Sequence, residues 1–229
     1  MAFTGGTPNR TRLFWVPLIL LALIMPPAPG EPAEKAPIKV GIIRDLTAAH
    51  AEAGRSQRDA LMMVYDDVNR AGGIGGHMIK YLIGDEKADP DASLAVAKRF
   101  VEVDDVLFLS GTATSGAALA VTKYAAEAGV PVFGHAFSVK LHEPPRGQWY
   151  FASEANNDEL IKAALPVMKR DGFTKIAVVY ANYAWGRDAK DVTYRYAGDY
   201  GMKILGDVPV ETGASEVTAE VAKVKALGP

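Results

Sequence analysis

The sequence predicts an α/β protein built on parallel sheet, and three observations carry that expectation. Short β-branched runs such as IKVGII (38–43) contain few polar interruptions, as strands covered on both faces require. Longer stretches between them repeat apolar residues three and four apart, the spacing of a helix with one buried face. The two patterns alternate from Ile38 almost to the end of the chain, as strand–helix–strand units do.

IKVGII is the first strand, and SQRDALMMVYDDVNRAG follows with Leu61, Val64, Tyr65 and Val68 at helical spacing. MIKYLIGD (78–85) reads as a strand, and the next stretch sets Leu94, Ala97, Phe100 and Val101 on one helical face. VLFLSG (106–111) is a strand, SGAALAVTKYAAEAG (115–129) a helix ended by glycine, VPVFGH (130–135) a strand and QWYFAS (148–153) a further one. The rhythm restarts after Asn156: DELIKAALPVMKRDG is a helix that tolerates Pro166, KIAVVYA (175–181) a strand, GRDAKDVTYRYAGDYG a helix and KILGDVPV (203–210) a strand. Val217, Val221 and Val224 mark a last helix, which ends on a Gly-Pro stop. The strand that the rhythm calls for next does not arrive, so the chain reads as C-terminally truncated.

The first 30 residues stand apart. Arg10 and Arg12 precede the apolar run LFWVPLILLALIM (13–25), and PPAPG follows, which is the order of a secretory leader cut after Gly30. The run is shorter than a spanning helix, which needs about 20 apolar residues, and this favours a cleaved leader over an uncleaved membrane anchor. EPAEKAP (31–37) reads as a flexible lead-in. Loss of Arg10 and Arg12 takes the formal charge from −2 to −4, and neither value suits a nucleic-acid partner. Cysteine is absent, which excludes disulfides, thiolate metal sites and a cysteine nucleophile.

NRAGGIGGHMIK (69–80) packs four glycines into residues 72–76 and invites comparison with a phosphate loop. A phosphate loop follows a strand and opens a helix; here a helix ends and a strand begins, so a tight turn is expected. Ligands in open α/β sheets bind beyond the carboxyl ends of the strands. RDLTAAHAEAG, GTATSG, GHAFS and YANYAWGRD occupy those ends. Ser115 opens a helix there, and its hydroxyl with the Gly116 N–H reads equally as a carboxylate site or as a plain N-cap. Tyr180, Tyr183 and Trp185 offer aromatic faces, for a ligand or for packing. No G-x-S-x-G elbow or H-E-x-x-H is present, the four histidines are scattered, and no metal or cofactor is expected. The acids of GDEKADPD (84–91) read as a solvated loop and helix start.

IKVGIIRDLT, AGGIGGHMIKYLIGDEKADPDASLAVAKRFV, SGTATSGAALAVTKYAAEAGVPVF and KIAVVYANYAWGRD, in this order, resemble the leucine/isoleucine/valine-binding type of periplasmic solute-binding proteins, over essentially all of residues 38–229. The AGGIxG turn is a hallmark of that family. The resemblance implies a type I periplasmic-binding-protein fold: two Rossmann-like lobes with parallel sheets, a first lobe at 38–154 and an incomplete second lobe at 155–229. It implies a small-molecule ligand held between the lobes and delivered to ABC permease subunits of the inner membrane, by a protein that is monomeric when full length and is not an enzyme.

Carried over by position, the ligand serine falls on Ser115, the contacts in the loop after the fourth strand on Ala136 and Ser138, and the aromatic cover on Trp185. Ser115, Gly116 and Ser138 would hold the α-carboxylate. Ala53 stands where some relatives place an aromatic wall, and His135 and Phe137 replace small residues. The acid that receives the ligand's ammonium would lie beyond Pro229. A branched-chain or related amino acid is the ligand class implied, with amides, urea-like solutes and aromatic acids left open. A ligand-sensing receptor of the same fold and an exported α/β enzyme are the alternative functions. A chain with half a second lobe and one hinge crossing is also expected to bind ligand weakly or not at all and to expose apolar sheet edges.

Overall fold

The computed structural model describes residues 1, 2, 5, 35–112 and 114–228. The expected leader run at 13–25 and the cut after Gly30 lie outside the described residues. Met1–Glu34 and Lys35–Pro229 are separate units, and the fold below is that of the second.

Its first sheet has five parallel strands in the order β2-β1-β3-β4-β5. These are β1 (Ile38–Arg44), β2 (Ile79–Asp85), β3 (Phe108–Ser110), β4 (Val132–Gly134) and β5 (Tyr150–Ala152). Connecting them are α1 (Ala51–Arg70), α2 (Pro90–Glu102) and α3 (Ser115–Ala128). Helices α2 and α3 cover one face, where Ile43, Ala97, Phe100, Leu109, Val121 and Val132 form the main core. Gly41 admits this packing: a Cβ there would meet the Phe100 ring at 2.5 Å. Helix α1 lies against β1 and β2 on the other face. That face stays open over β4 and β5, where Phe133 and Phe151 stack at 5.1 Å with nearly half of each side chain exposed.

The second sheet, among the described residues, pairs β6 (Lys175–Ala181) and β7 (Lys203–Val210) in parallel. With them come α4 (Asn157–Arg170), α5 (Ala184–Tyr196) and α6 (Thr218–Leu227). Leu165, Ile176, Ala197 and Met202 make its small core. Pro166 is accommodated inside α4, as expected, and a capping box between Asn156 and Glu159 starts that helix.

The order and type of every expected element are observed, and the ends shift. Strands β3, β4 and β5 keep only their central three residues. Helix α1 begins at Ala51, inside the segment read as loop, because the buried Asp45 carboxylate gathers the N–H groups of Ala48 and His50 at 2.7 Å each and bends the chain directly into the helix. Gly54 then passes so close that a Cβ would lie 1.9 Å from the Asp45 carbonyl oxygen. The glycine stretch is the expected turn: Gly72, Gly73, Gly75 and Gly76 all have positive φ, and Ile74 bridges His77. It sits at the amino end of β2, at the opposite end of the sheet from the strand-end loops.

Candidate functional site

The carboxyl ends of β1 and β2 are tied together by acidic side chains. Asp85 accepts from the Leu46 N–H at 2.9 Å and from Thr47 Oγ1 at 2.6 Å. Burial pushes the Asp85 carboxyl up, but those bonds, the Lys87 N–H and the Lys87 charge outweigh it and hold the group below the usual carboxylate range. Glu86 is fully buried, and Ser93 Oγ donates to it at 3.4 Å. The solvated acidic loop expected from the sequence is corrected at Glu86 alone, the one acid of residues 84–91 that is buried. Asp85 is partly exposed and accepts from the neighbouring loop, while Asp89 and Asp91 take the expected helix-start role, Asp89 capping α2 through the Ala92 N–H at 2.7 Å.

Helix α3 starts one residue earlier in its cap than expected. Thr114 is the N-cap, its Oγ1 accepting from Ala117 N–H at 3.3 Å. Ser115 is the first helical residue, so the plain N-cap reading of Ser115 is corrected. Its hydroxyl is 2% exposed and has no hydrogen-bond partner among the described residues. Ser138, in the loop after β4, is 1% exposed and its Oγ is likewise without a partner among them. Ala136 differs. Its N–H donates to Tyr150 Oη at 2.9 Å and its carbonyl accepts from the same phenol at 3.2 Å, so its backbone is already engaged.

Trp185 lies in the first turn of α5 and is 36% exposed. Its ring centroid is 6.2 Å from that of Phe137 and 5.9 Å from that of Tyr183. Burial raises the Tyr183 phenol. A Cβ placed on Gly116 would come within 3.8 Å of Ala184 Cβ, so the first turns of α3 and α5 meet across the gap between the sheets. Ser138, Ala184 and Asp188 share the lining of a cavity of about 270 Å³ between the same elements. The structure thus brings Gly116, Phe137, Ser138 and Trp185 to one interface, with Ser115 beside Gly116.

Sequence reasoning missed several buried polar groups nearby. Arg44 is 5% exposed: its Nη1 donates to the Ile43 carbonyl at 2.8 Å, and its Nε has no partner among the described residues. Burial lowers its pKa against the opposing pull of Glu86. His135, also lowered by burial and then by Arg44, lies 3.2 Å from Gln57 Nε2. Asn157 and Asp188 are both buried and bonded to each other at 2.6 Å. A basic residue closing an apolar strand was the one available signal for Arg44; nothing local marks the Asn157–Asp188 pair.

Chemically, the arrangement suits binding. Two desolvated hydroxyls and a helix N-terminus offer donors to an anion, aromatic rings offer apolar cover, and neither serine hydroxyl has the hydrogen-bonded base that activates a nucleophile. Among the described residues no group of three or more His, Asp or Glu is placed to hold a metal ion. Two parallel-sheet lobes meeting at helix N-termini define a two-lobed α/β protein of the type I periplasmic-binding fold.

The chain belongs to the periplasmic binding protein family, which it matches over residues 37–229. It is 29% identical over 196 residues to the Leu/Ile/Val-binding protein homolog 1 of Brucella melitensis, covering 84% of this chain and 52% of that one. An extracellular ligand-binding receptor from Rhodopseudomonas palustris HaA2 superposes with a TM-score of 0.76 at 26% identity, over 85% of this chain and 52% of the other. The solute-binding protein of an ABC transporter from R. palustris BisB5, solved with 3,4-dihydroxybenzoic acid, gives 0.72 at 23% identity, over 85% and 52%. The chain spans about half the length of the curated relatives it matches.

Proposed function

We propose that this protein is an extracytoplasmic solute-binding protein that holds a small carboxylate between its lobes for delivery to an ABC permease. In this reading residues 38–154 form the first lobe and 155–229 part of the second, and the leader is removed near Gly30. The observation that carries it is the pair of buried hydroxyls of Ser115, at the start of α3, and Ser138, in the loop after β4, neither with a partner among the described residues. Buried donors without partners are costly, and a carboxylate reached by both, and by the Gly116 N–H, offsets that cost. Trp185 covers the bound solute from the second lobe, and Ala136 contributes wall rather than hydrogen bonds.

Two ligand classes fit. The family relatives named for leucine, isoleucine and valine support a branched-chain amino acid. The Phe137–Trp185–Tyr183 cluster favours an aromatic acid, the class found in one structural relative. Titration calorimetry of a chain that carries both complete lobes, against leucine, isoleucine, valine, phenylalanine, benzoate and 4-hydroxybenzoate, tests the proposal. Saturable one-to-one heat with at least one of them is expected. Absence of heat with all of them overturns it.

A further inference from the structure

Between the two lobes lies a buried polar junction beside the proposed cleft, and its Asp188 lines the same small cavity as Ser138. Asp188 sits in the second turn of α5 and is 7% exposed, although its neighbours Arg187 and Asp191 are exposed. Its Oδ2 accepts from the Val139 N–H at 3.1 Å, in the loop after β4, and from Asn157 Nδ2 at 2.6 Å, at the start of α4. Asn157 is 2% exposed and reaches in both directions. Its backbone N–H donates to the Phe137 carbonyl at 2.7 Å, and its Nδ2 donates to the Trp185 carbonyl at 3.2 Å. Three backbone groups, from Phe137, Val139 and Trp185, are therefore tied together through Asn157 and Asp188. Phe137 and Val139 belong to the first lobe, Asn157 to the crossing, and Trp185 and Asp188 to the second lobe.

A carboxylate left in so dry a place needs donors, and here they are supplied by the elements whose relative position shapes the cleft. Asp188 makes no ion pair within 4 Å among the described residues, so its partners are neutral and fixed in direction rather than mobile cations. The same junction grips the backbone of Phe137 and of Trp185, the two rings that face each other at 6.2 Å. We propose that Asp188, through Asn157, is the positioning residue that sets the angle between the lobes and hence holds Trp185 opposite Ser115 and Ser138. It acts as an oxygen acceptor, so an amide in its place keeps the function and an alanine does not. The cleft assignment rests on the solute-binding reading, but the clasp itself is testable without any ligand.

The chain contains no cysteine, so labels can be introduced singly. Glu127→Cys on α3 and Lys169→Cys on α4, both at exposed positions, carry nitroxides for distance measurement by electron spin resonance. The expected result is one narrow distance distribution in the labelled parent and in its Asp188→Asn variant. Asp188→Ala is expected to broaden it at least twofold and to speed amide exchange at Val139 at least tenfold, with exchange at Leu109 in the first-lobe sheet unchanged. Asn157→Ala is expected to do the same, and the double variant to be no worse than either single one, because both remove one junction. A broad distribution in the parent, an unchanged distribution in Asp188→Ala and Asn157→Ala, or equal loss in Asp188→Asn overturns the proposal. These measurements involve no solute, so a failed calorimetric panel and a failed clasp are separate results.

Discussion

Replacing Ser115 by alanine should change stability and binding in opposite directions. The hydroxyl is 2% exposed and lacks a partner among the described residues, and Thr114, not Ser115, caps α3. An unsatisfied buried polar group costs about 1–3 kcal/mol, and alanine is a better helix former by a few tenths of a kcal/mol. Without ligand, Ser115→Ala is therefore expected to be more stable by about 1 kcal/mol or more, a rise of roughly 2–4 °C per kcal/mol in a domain of this size. With ligand, a hydroxyl–carboxylate bond worth about 1.5–3 kcal/mol disappears, and Kd rises roughly 10- to 150-fold. Scanning calorimetry of the unliganded pair of proteins and a binding titration read the two arms. A Tm lowered by more than about 2 °C without ligand would show that the hydroxyl is satisfied within the fold, and the reasoning would fail.

Other expectations follow from single contacts. Trp185→Ala should weaken solute binding at least about tenfold, as loss of an aromatic anchor does, and leave the unliganded Tm nearly unchanged because the side chain is partly exposed. Gly73→Ala should cost about 2–5 kcal/mol in urea denaturation. Its φ is +74° and a Cβ would lie 2.2 Å from the His77 carbonyl oxygen, whereas Gly72→Ala, in open space, should cost only about 1–2 kcal/mol. His135 is held below its ordinary pKa by burial and then by Arg44, so the unfolded chain takes up its proton first on acidification. Its contribution is present above about pH 6.5 and is lost as pH falls through that value, and His135→Asn should flatten the stability profile between about pH 7 and 5.5.

Much of this architecture is written in local pattern. The strand–helix order, Pro166 inside a helix and the turn at Gly72–Gly76 follow from periodicity and from glycine's access to positive φ. What was illegible depends on contacts distant in sequence. TATS offers several hydroxyls as cap, and only the backbone path selects Thr114 over Ser115. The early start of α1 comes from Asp45 collecting N–H groups, and the burial of Glu86 comes from the helix folded over it. Asn157 and Asp188 stand 31 residues apart in segments that otherwise look like solvated helix starts. Strand-end position already marks Ser115, Gly116 and Trp185, the choice of Ser138 rests on resemblance, and the two buried hydroxyls without partners among the described residues are an independent physical reason to favour Ser115 and Ser138.

The most direct test of the central claim is an amide-resolved NMR titration of a chain that carries both complete lobes with a small carboxylate from the calorimetric panel. Shifts that saturate together at Ser115, Gly116 and Ser138 and at the Trp185 indole, with the glycine turn at Gly72–Gly76 unmoved, are the predicted result. Saturating shifts confined to other surfaces, or none at these four residues, would contradict it.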